Sequence, residues 1–292
     1  MFQANSAGRR TSGGVATQEN QATVGAPDRQ RHPLARGLEI LTLMVDGREQ
    51  SYGVRELGNR LGVSASTAHR LLTDLEELGM VARTPVGNYR LGMEFLRLAW
   101  TANARYPLHE AASDVLDHLA ERSGESSFFG VYNEQRRQMM YSLSVESTHA
   151  LRYTVPQGVW LPIHAGASGL AILAFLPAEV QDEIVRGRLD ALTNRTLVDA
   201  GQLAERLARI RGDGYAVSHG ERIDGAIAIA APVMGPVGTV VGDVGITVPE
   251  SRFNVDATSE LVALVKQSAG LLTRRFNGRQ PESEQAEAQL GL

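Results

Sequence analysis

Residues 54–90 read VRELGNRLGVSASTAHRLLTDLEELGMVARTPVGNYR, and this stretch decides the fold of the N-terminal part of the chain. Apolar residues recur at helical spacing on both sides of Gly62, and glycine readily adopts the left-handed conformation with which many helices end. Ser64 can cap the second helix through its hydroxyl. Pro-Val-Gly-Asn at 85–88 separates two short runs, as a hairpin turn does. The stretch predicts helix, tight turn, helix and β-hairpin, which is the order of a winged helix-turn-helix.

The apolar pattern also predicts the core of this small domain. The second helix has a stripe at i, i+3, i+4 and i+7, made of Ala68, Leu71, Leu72, Leu75 and Leu78. A further helix is predicted at Leu34–Val45, with one apolar face made of Leu34, Leu38, Leu41 and Val45. This helix would complete a three-helix core.

The polar face of the second helix carries the functional signal. Its first two turns contain the hydroxyl and cationic side chains Ser66, Thr67, His69, Arg70 and Thr73. Recognition helices read base edges from their N-terminal residues, while hydroxyl and Arg side chains reach phosphate or guanine. Acidic residues, which repel phosphate, come only later in this helix, at 74, 76 and 77. The helix therefore predicts DNA binding, with its Ser66 end toward the DNA.

Two arginines flank the predicted hairpin turn. Arg83 and Arg90 are placed for phosphate or minor-groove contacts, and they could equally be two solvated surface side chains. Similar winged domains also serve as protein-docking modules, so the hairpin by itself does not choose between these roles.

Composition limits the classes of protein that the chain can belong to. The net charge is −4, basic side chains outnumber acidic ones only before residue 106, and hydrophobic residues make up 43% of the sequence. The chain has no cysteine, which excludes disulfides, thiol nucleophiles and thiolate metal sites, and Lys266 is the only lysine. No apolar run approaches the roughly 20 residues that span a bilayer, and no secretion signal begins the chain. We expect a cytoplasmic protein with no membrane contact.

The chain divides into two predicted domains between polar tails. The predicted segments are a disordered tail at 1–30, the winged domain at 31–92, a linker helix at 93–107, a second domain at 108–276 and a disordered tail at 277–292. The second domain starts with a helix to about Arg122 and ends with a helix at Asp256–Phe276. Between them, strands are predicted at 127–132, 138–145, 150–155, 215–218, 226–234 and 239–248, and helices at 166–175, 178–186 and 200–211. Gly-Pro-Val-Gly at 235–238 indicates a hairpin turn.

This order of elements indicates an α+β, sensor-like fold rather than a βαβ nucleotide-binding sheet. The sequence contains neither a GxGxxG nor a GxxxxGK[ST] phosphate loop. No cofactor is therefore expected.

Separated motifs in a fixed order resemble the isocitrate lyase regulator (IclR) family of transcriptional regulators over residues 34–276. In the first domain they are RGLEIL at 36–41, Ser66-Thr67, Arg70-Leu71-Leu72 and YRLG at 89–92. In the second they are LPIHA at 161–165, Gly169, Leu173-Ala174, Ile210-Arg211, Gly214-Tyr215, AIAAPV at 228–233 and PESRF at 249–253. Two departures are Leu170, where the family usually has lysine, and an N-terminal tail that is longer and more polar than is typical.

The resemblance implies a winged DNA-binding domain and a GAF/PAS-like mixed α/β effector-binding domain. It also implies homodimers, often paired into homotetramers, on a partly palindromic double-stranded DNA operator. Combined with the helix and hairpin patterns, it gives the candidate DNA-binding residues Arg36, Ser64, Ser66, Thr67, His69, Arg70, Thr73, Arg83 and Arg90. By position, it implies a small-molecule effector site at His164, Ala167, Ser168, Gly169, Ser218, Ala228, Gly245 and Thr247.

The residue types at this implied site suit a small ligand. Residues 167–169 open a helix, whose N-terminal N–H groups favour an anion, and Ser168 and Thr247 add hydroxyls. The small side chains leave room for a ligand, although Gly and Ala at these places are also what close packing of a helix on a strand requires. The effector could be an organic acid or an aromatic compound.

Other readings of the polar residues are weaker. His164 and His219 could bind a metal, but no HxH or HxxxH pair is present, so we expect no metal site. Asp213, Glu221 and Asp224 are interpreted as a solvated loop, with an acidic substrate site as the alternative.

The main hypothesis is a ligand-responsive repressor of a catabolic operon. The first alternative is an enzyme that acts on a small organic acid and has an appended winged domain, but no nucleophile–base pair or GxSxG motif supports it. The second alternative is a nonspecific DNA binder, which the low positive charge argues against.

Overall fold

The computed structural model describes residues 32–47, 49–105 and 108–277. These residues form two compact units, the first ending at Phe95 and the second starting at Leu96. The predicted tail at 1–30 and all but the first residue of the tail at 277–292 lie outside the described residues, as does Pro107.

The first unit is a three-helix domain with a β-hairpin. Its elements are α1 (Pro33–Asp46), α2 (Val54–Leu61), α3 (Ala65–Glu77), β1 (Val81–Arg83) and β2 (Tyr89–Leu91), followed by α4 (Met93–Arg105). Gly62 ends α2 with φ 65°, as the sequence predicts, and β1 pairs with β2 in antiparallel register. Tyr52 forms an additional bridge to Tyr89, and both side chains are buried, so the hairpin is fixed to the helices by a pair of tyrosines.

The apolar face predicted for α1 is wrong in three of its four residues. Leu34, Leu38 and Val45 are more than half exposed, and only Leu41 is buried. The buried face is made of Gly37, Ile40, Leu41 and Met44. The helix has leucines on two faces, and packing in the core of the first unit selects the face that contains Ile40, Leu41 and Met44.

The stripe predicted for α3 is confirmed except at its last residue. Ala68, Leu71, Leu72 and Leu75 are buried, whereas Leu78 is 65% exposed. Leu78 is the C-cap residue, and Gly79 turns the chain out of the helix with φ 69°. The side chain of Leu78 therefore leaves the stripe.

The second unit is built on one antiparallel sheet of six strands. The strands are β3 (Ser126–Asn133), β4 (Gln138–Val145), β5 (Leu161–Pro162), β6 (Ala216–His219), β7 (Ala226–Met234) and β8 (Val240–Pro249), in the order β5-β4-β3-β8-β7-β6. One face packs on α5 (Leu108–Ser123) and α9 (Thr258–Asn277), and the other on α6 (Gly166–Leu173), α7 (Ala178–Arg186) and α8 (Ala200–Asp213). This is the mixed α+β class predicted from the sequence.

The strand predicted at 150–155 is wrong. This segment contains no strand, and its polar side chains bind elsewhere: Arg152 pairs with Glu146 at 2.7 Å, and the Tyr153 hydroxyl donates to the carbonyl of Asp224 at 2.9 Å. The edge of β4 is instead taken by β5, which the sequence pattern did not indicate, and by a bridge from Tyr141 to Gln157.

Residues 235–238 connect β7 to β8 in the predicted hairpin. The connection contains a short 3₁₀ turn, Pro236–Gly238, and β7 pairs with β8 over nearly its whole length. Successive side chains of a strand point to opposite faces of the sheet. Asp243, Gly245 and Thr247 of β8 lie on the face that packs against α6.

Candidate functional site

The N-terminal turn of α3 presents a group of hydroxyls. The Ser64 side chain accepts a hydrogen bond from the Thr67 N–H at 3.2 Å, as an N-cap residue does. Its Oγ also lies 2.9 Å from Ser66 Oγ and 2.9 Å from Thr67 Oγ1. Ser64 and Ser66 are exposed, so these hydroxyls can reach a ligand in solvent while they hold the start of the helix.

Cationic and hydroxyl side chains continue this surface along α3. His69 and Arg70 are exposed, and within the described residues Arg70 has neither an ion pair nor a hydrogen bond. The Thr73 hydroxyl donates to the carbonyl of His69 at 3.0 Å, so its hydrogen is already used within the helix. Arg70 is therefore the side chain of this helix best able to donate to an external acceptor.

The two hairpin arginines point in different directions. Arg83 pairs in register with Tyr89 and Arg90 with Ala82, so the two side chains leave the hairpin on opposite faces. Both are exposed, and neither is in an ion pair with another described residue. Arg36, on α1, is half-buried. The structure thus brings the hydroxyls and Arg70 together on α3 and places the other three arginines on separate elements.

A second group of polar residues lies in the second unit, between α6 and the sheet. Register pairs Ser218 with Ala228, and Ala228 with Thr247, so these three residues form one row across β6, β7 and β8. Ser218 and Thr247 are buried, and so is every residue of α6. The Tyr141 hydroxyl donates to Ser168 Oγ, on α6, at 3.1 Å.

Two glycines of the predicted effector site are in close contact with the protein itself. A Cβ on Gly169 would lie 2.6 Å from the carbonyl oxygen of Ile163, and a Cβ on Gly245 would lie 2.7 Å from the Phe128 ring. Both positions therefore serve close packing. His164 is buried too, and its Nε2 is 2.9 Å from the carbonyl oxygen of Asp190.

Asp243, which the sequence patterns did not single out, is the most unusual polar residue of this region. It is fully buried on β8, and neither carboxylate oxygen has a hydrogen-bond partner of ordinary geometry among the described residues. Burial raises the pKa of Asp243 to about 7, while Ser168 and Arg222 act in the opposite direction. A single charged residue within the apolar run VVGDVGITVP was the available signal.

Arg222 was also missed, because its loop was interpreted as solvated. Its Nη2 donates to the carbonyl of Pro162 at 2.7 Å and to that of Ala165, whereas its Nε and Nη1 are buried without a partner in the described part of the chain. The solvated-loop interpretation is also wrong for Glu221, which is buried and paired with Arg206 at 2.7 Å. A sequence pattern cannot show that a loop folds back under a helix.

The histidines considered as metal ligands have other contacts. His219 packs edge-on against Phe253, with ring centroids 6.0 Å apart, and His164 bonds to a backbone carbonyl as described above. Over the described ranges, no three His, Cys, Asp or Glu side chains come together as metal ligands. No helix in this part of the chain is both long and apolar enough to cross a membrane.

Comparisons with known proteins agree with both units. The IclR helix-turn-helix domain matches residues 33–85, and the bacterial transcriptional regulator IclR C-terminal domain matches residues 101–274. The glycerol operon regulatory protein of Streptomyces griseus is 32% identical over 247 residues, which cover 82% of this chain and 94% of that protein. The transcriptional repressor IclR of Escherichia coli K12 is 30% identical over 251 residues, which cover 85% of this chain and 91% of that protein.

A crystal structure of an IclR-type transcriptional regulator from Silicibacter sp. TM1040 has the same fold. Its TM-score is 0.75 at 28% sequence identity, and the alignment covers 86% of this chain and 98% of that chain. The relatives regulate transcription and are not enzymes, so the enzyme alternative has no support. The chain therefore belongs to the IclR family of bacterial transcriptional regulators, and it acts as a DNA-binding regulator rather than as an enzyme.

Proposed function

We propose that this regulator represses a catabolic operon and that a small-molecule effector, bound between α6 and the sheet, changes its affinity for the operator. The observation that carries the proposal is the N-terminal turn of α3, where exposed hydroxyls stand beside an arginine that has no protein partner among the described residues. Such a helix end offers both hydrogen-bond donors and positive charge to a base edge or a phosphate. We place this action in the cytoplasm, where the operator lies.

The proposed DNA surface consists of nine residues. They are Arg36, Ser64, Ser66, Thr67, His69, Arg70, Thr73, Arg83 and Arg90. Arg70 contributes most, because its guanidinium can make a bidentate contact with guanine or a charged contact with phosphate. Thr73 contributes least among the α3 residues, since its hydroxyl hydrogen is directed to the backbone of its own helix.

The proposed effector pocket includes the residues implied by the family resemblance. They are His164, Ala167, Ser168, Gly169, Ser218, Ala228, Gly245 and Thr247. Burial of Ser168, Ser218 and Thr247 on facing surfaces of α6 and the sheet supports this assignment. Gly169 and Gly245 act by letting α6 and Phe128 pack closely around the pocket.

We further propose that the protein binds its operator as a homodimer or as a homotetramer formed from two dimers. Two recognition helices about one helical turn apart would read two half-sites. An effector that prefers one arrangement of the helices then shifts the population toward or away from the arrangement that fits the operator.

The test is operator binding by Arg70→Ala. The operator is selected from a random duplex library with the wild-type protein and then used in fluorescence anisotropy titrations against excess nonspecific competitor. We expect Arg70→Ala to weaken binding by roughly 10- to 100-fold, the effect of losing one good contact with a base. Arg209→Ala is the matched control, because Arg209 is an exposed arginine of α8 in the second unit.

Two results would contradict the proposal. Equal affinity of Arg70→Ala and the wild type would remove α3 from the DNA surface. Equal affinity of the wild type for operator and random competitor would indicate the nonspecific binder instead. Circular dichroism and thermal melting of both variants show whether the fold is retained.

A further inference from the structure

A cavity of about 510 Å³ lies in the second unit, where the chain leaves α6 for α7 beside the β7–β8 hairpin. Its walls come from the end of β3, from the connection between α6 and α7, from the start of α7 and from the start of β8. This α7 cavity is lined by residues 132 and 134, 175–177 and 180, and 238–241. Its volume is within the range of small-molecule sites, which is roughly 300–1,000 Å³.

The α7 cavity is at the opposite end of α6 from the proposed effector pocket. The proposed effector residues start at His164 and include the first turn of α6, whereas the helix side of the cavity starts at Phe175, after α6 has ended. Along β8, Val240 lines the cavity and Thr247 belongs to the proposed effector pocket, seven residues further on. At about 3.3 Å per residue of strand, these two positions are roughly 23 Å apart. The two sites are therefore separate, and a ligand in one does not occupy the other.

Most of the wall of the α7 cavity is apolar. Phe175, Leu176, Pro177 and Val180 line it on the helix side, and Val240 lines it on the sheet side. Phe175 and Val180 are only partly buried, so a ligand in the cavity would remove more of their apolar surface from water. Such burial favours binding of an apolar molecule in proportion to the area that is covered.

One polar group in this wall lacks a partner. Tyr132, near the end of β3, lines the cavity, and its hydroxyl is shielded from water without a hydrogen-bond partner among the described residues. Burial raises the pKa of Tyr132, so the hydroxyl stays protonated at neutral pH and is available as a donor. A buried donor without an acceptor costs free energy, and a ligand oxygen in the cavity would remove that cost.

The charges around the α7 cavity disfavour an anion. Among the described residues that line it, Glu134 alone is charged, and its carboxylate acts electrostatically on Tyr132. Arg137 also acts on Tyr132, but its guanidinium is paired with Glu183 of α7. A carboxylate in the cavity would be repelled by Glu134. An ammonium group would be attracted to Glu134 but would offer no acceptor to the Tyr132 hydroxyl.

We propose that the α7 cavity is a second ligand site of this regulator, and that it takes an uncharged, largely apolar molecule with one hydroxyl or ketone oxygen. The apolar body lies against Phe175, Val180 and Val240, and the oxygen accepts a hydrogen bond from Tyr132. This ligand differs in charge from an organic acid, so the cavity and the proposed effector pocket would select different compounds.

The experiment measures binding to the full chain by isothermal titration calorimetry with five compounds that share one bicyclic skeleton. They are 2-tetralol, 2-tetralone, tetralin, 2-aminotetralin and tetralin-2-carboxylate. We expect the alcohol and the ketone to bind about 10-fold more tightly at pH 7 than tetralin, which has no oxygen, as expected for one hydrogen bond to a buried donor. They should also bind more tightly than the amine and the carboxylate. A carboxylate or an amine that binds as tightly as the alcohol and the ketone would overturn the proposal.

A variant of Tyr132 tests the polar contact. Tyr132→Phe should weaken binding of 2-tetralone about 10-fold and leave binding of tetralin unchanged. Tyr215→Phe is the matched control, because Tyr215 packs in the apolar cluster on the other face of the sheet, and it should bind both compounds like the wild type. Equal affinity of Tyr132→Phe and the wild type for 2-tetralone would overturn the proposal.

Two further variants test the place of the ligand and the preference for an uncharged one. Val180→Phe puts a larger side chain into the cavity and should weaken binding of 2-tetralone by at least about 10-fold, whereas unchanged affinity would mean that the ketone binds elsewhere. Glu134→Gln changes an exposed side chain, so the fold is retained even where Val180→Phe does not fold. It should raise the affinity for tetralin-2-carboxylate by about 2- to 5-fold, and an unchanged affinity would contradict the charge preference.

A second copy of the chain is the competing occupant of the cavity. Sedimentation velocity of the wild type and Val180→Phe at equal concentrations separates the two cases. The proposal expects the same number of subunits in both proteins. Fewer subunits in Val180→Phe, together with no binding of any of the five compounds to the wild type, would overturn the proposal and assign the cavity to a contact between copies.

Discussion

The N-terminal turn of α3 and the proposed effector pocket beside α6 use the same kinds of side chain in opposite surroundings. At α3, serine hydroxyls and Arg70 are exposed, and water satisfies them when no ligand does. Beside α6, Ser168 and Asp243 are buried and Arg222 is half-buried, and several polar atoms of Arg222 and Asp243 have no hydrogen-bond partner among the described residues. An exposed polar group without a ligand is hydrated and costs almost no free energy of folding, whereas a buried polar group without a partner destabilises the fold. Substitutions of exposed α3 side chains that do not cap the helix should therefore affect binding alone, whereas substitutions beside α6 should affect both stability and binding.

The largest expected effect on stability is at Asp243. Its pKa of about 7 in the folded chain is above the usual 3.8, so the folded state holds a proton that the unfolded state releases. The resulting stabilisation is complete below pH 4 and is lost as the pH rises through 7. We expect Asp243→Asn to unfold with a higher free energy than the wild type at pH 8, by up to roughly 4 kcal/mol.

Urea unfolding of the second unit at pH 5 and pH 8 measures this effect. The wild type should lose stability between the two values, and the variant should lose much less. A wild-type stability that is flat over this range would mean that Asp243 is paired in solution, and the contrast between the two regions would disappear.

A smaller effect is expected at Gly169, where the backbone of Ile163 would meet a new methyl group at 2.6 Å. Backbone cannot move aside as a flexible side chain can, so Gly169→Ala should destabilise the second unit by about 1–3 kcal/mol. Gly212→Ala is the matched control, because Gly212 is in α8 and a methyl group added there would have nothing within 4 Å. That control should be neutral or stabilise the protein, since alanine favours helix. Equal melting temperatures of the two variants would contradict the packing argument.

The smallest effect should come from the α3 side of the comparison. Ser64→Ala removes the N-cap of α3 and should lower the free energy of unfolding of the first unit by about 1 kcal/mol. Ser66→Ala removes a neighbouring exposed hydroxyl that accepts no backbone hydrogen bond from any described residue, and it should leave stability unchanged. Thermal melting compares the two variants, and an equal loss in both would show that Ser64 does not act as a cap.

Several features followed directly from local sequence patterns. The helix-turn-helix, the hairpin and most strands were predicted, because their signals are local: Gly62 at a helix end, Ser64 at a cap and alternating apolar residues in strands. The α+β class followed from the order of these elements.

The errors have one physical origin. In α1, two faces are apolar, and only packing against α3 decides that Ile40 is buried and Leu38 is exposed. The segment 150–155 has the composition of a strand, but it forms no strand, and its Tyr153 hydroxyl bonds instead to the carbonyl of Asp224. In both cases, a local pattern allows two outcomes, and a contact distant in sequence selects one of them.

The sequence by itself determined the family and the helix-turn-helix, because motifs and helix-end signals depend on the order of residues along the chain, and it predicted which end of α3 faces DNA. Only the tertiary structure brought together the residues of the proposed effector pocket. Arg222 and Asp243 come from different elements and share one environment only because the sheet and α6 fold around them. Burial raises the pKa of Asp243 to about 7. This burial depends on how the sheet packs against its helices, so no single segment of the sequence predicts it.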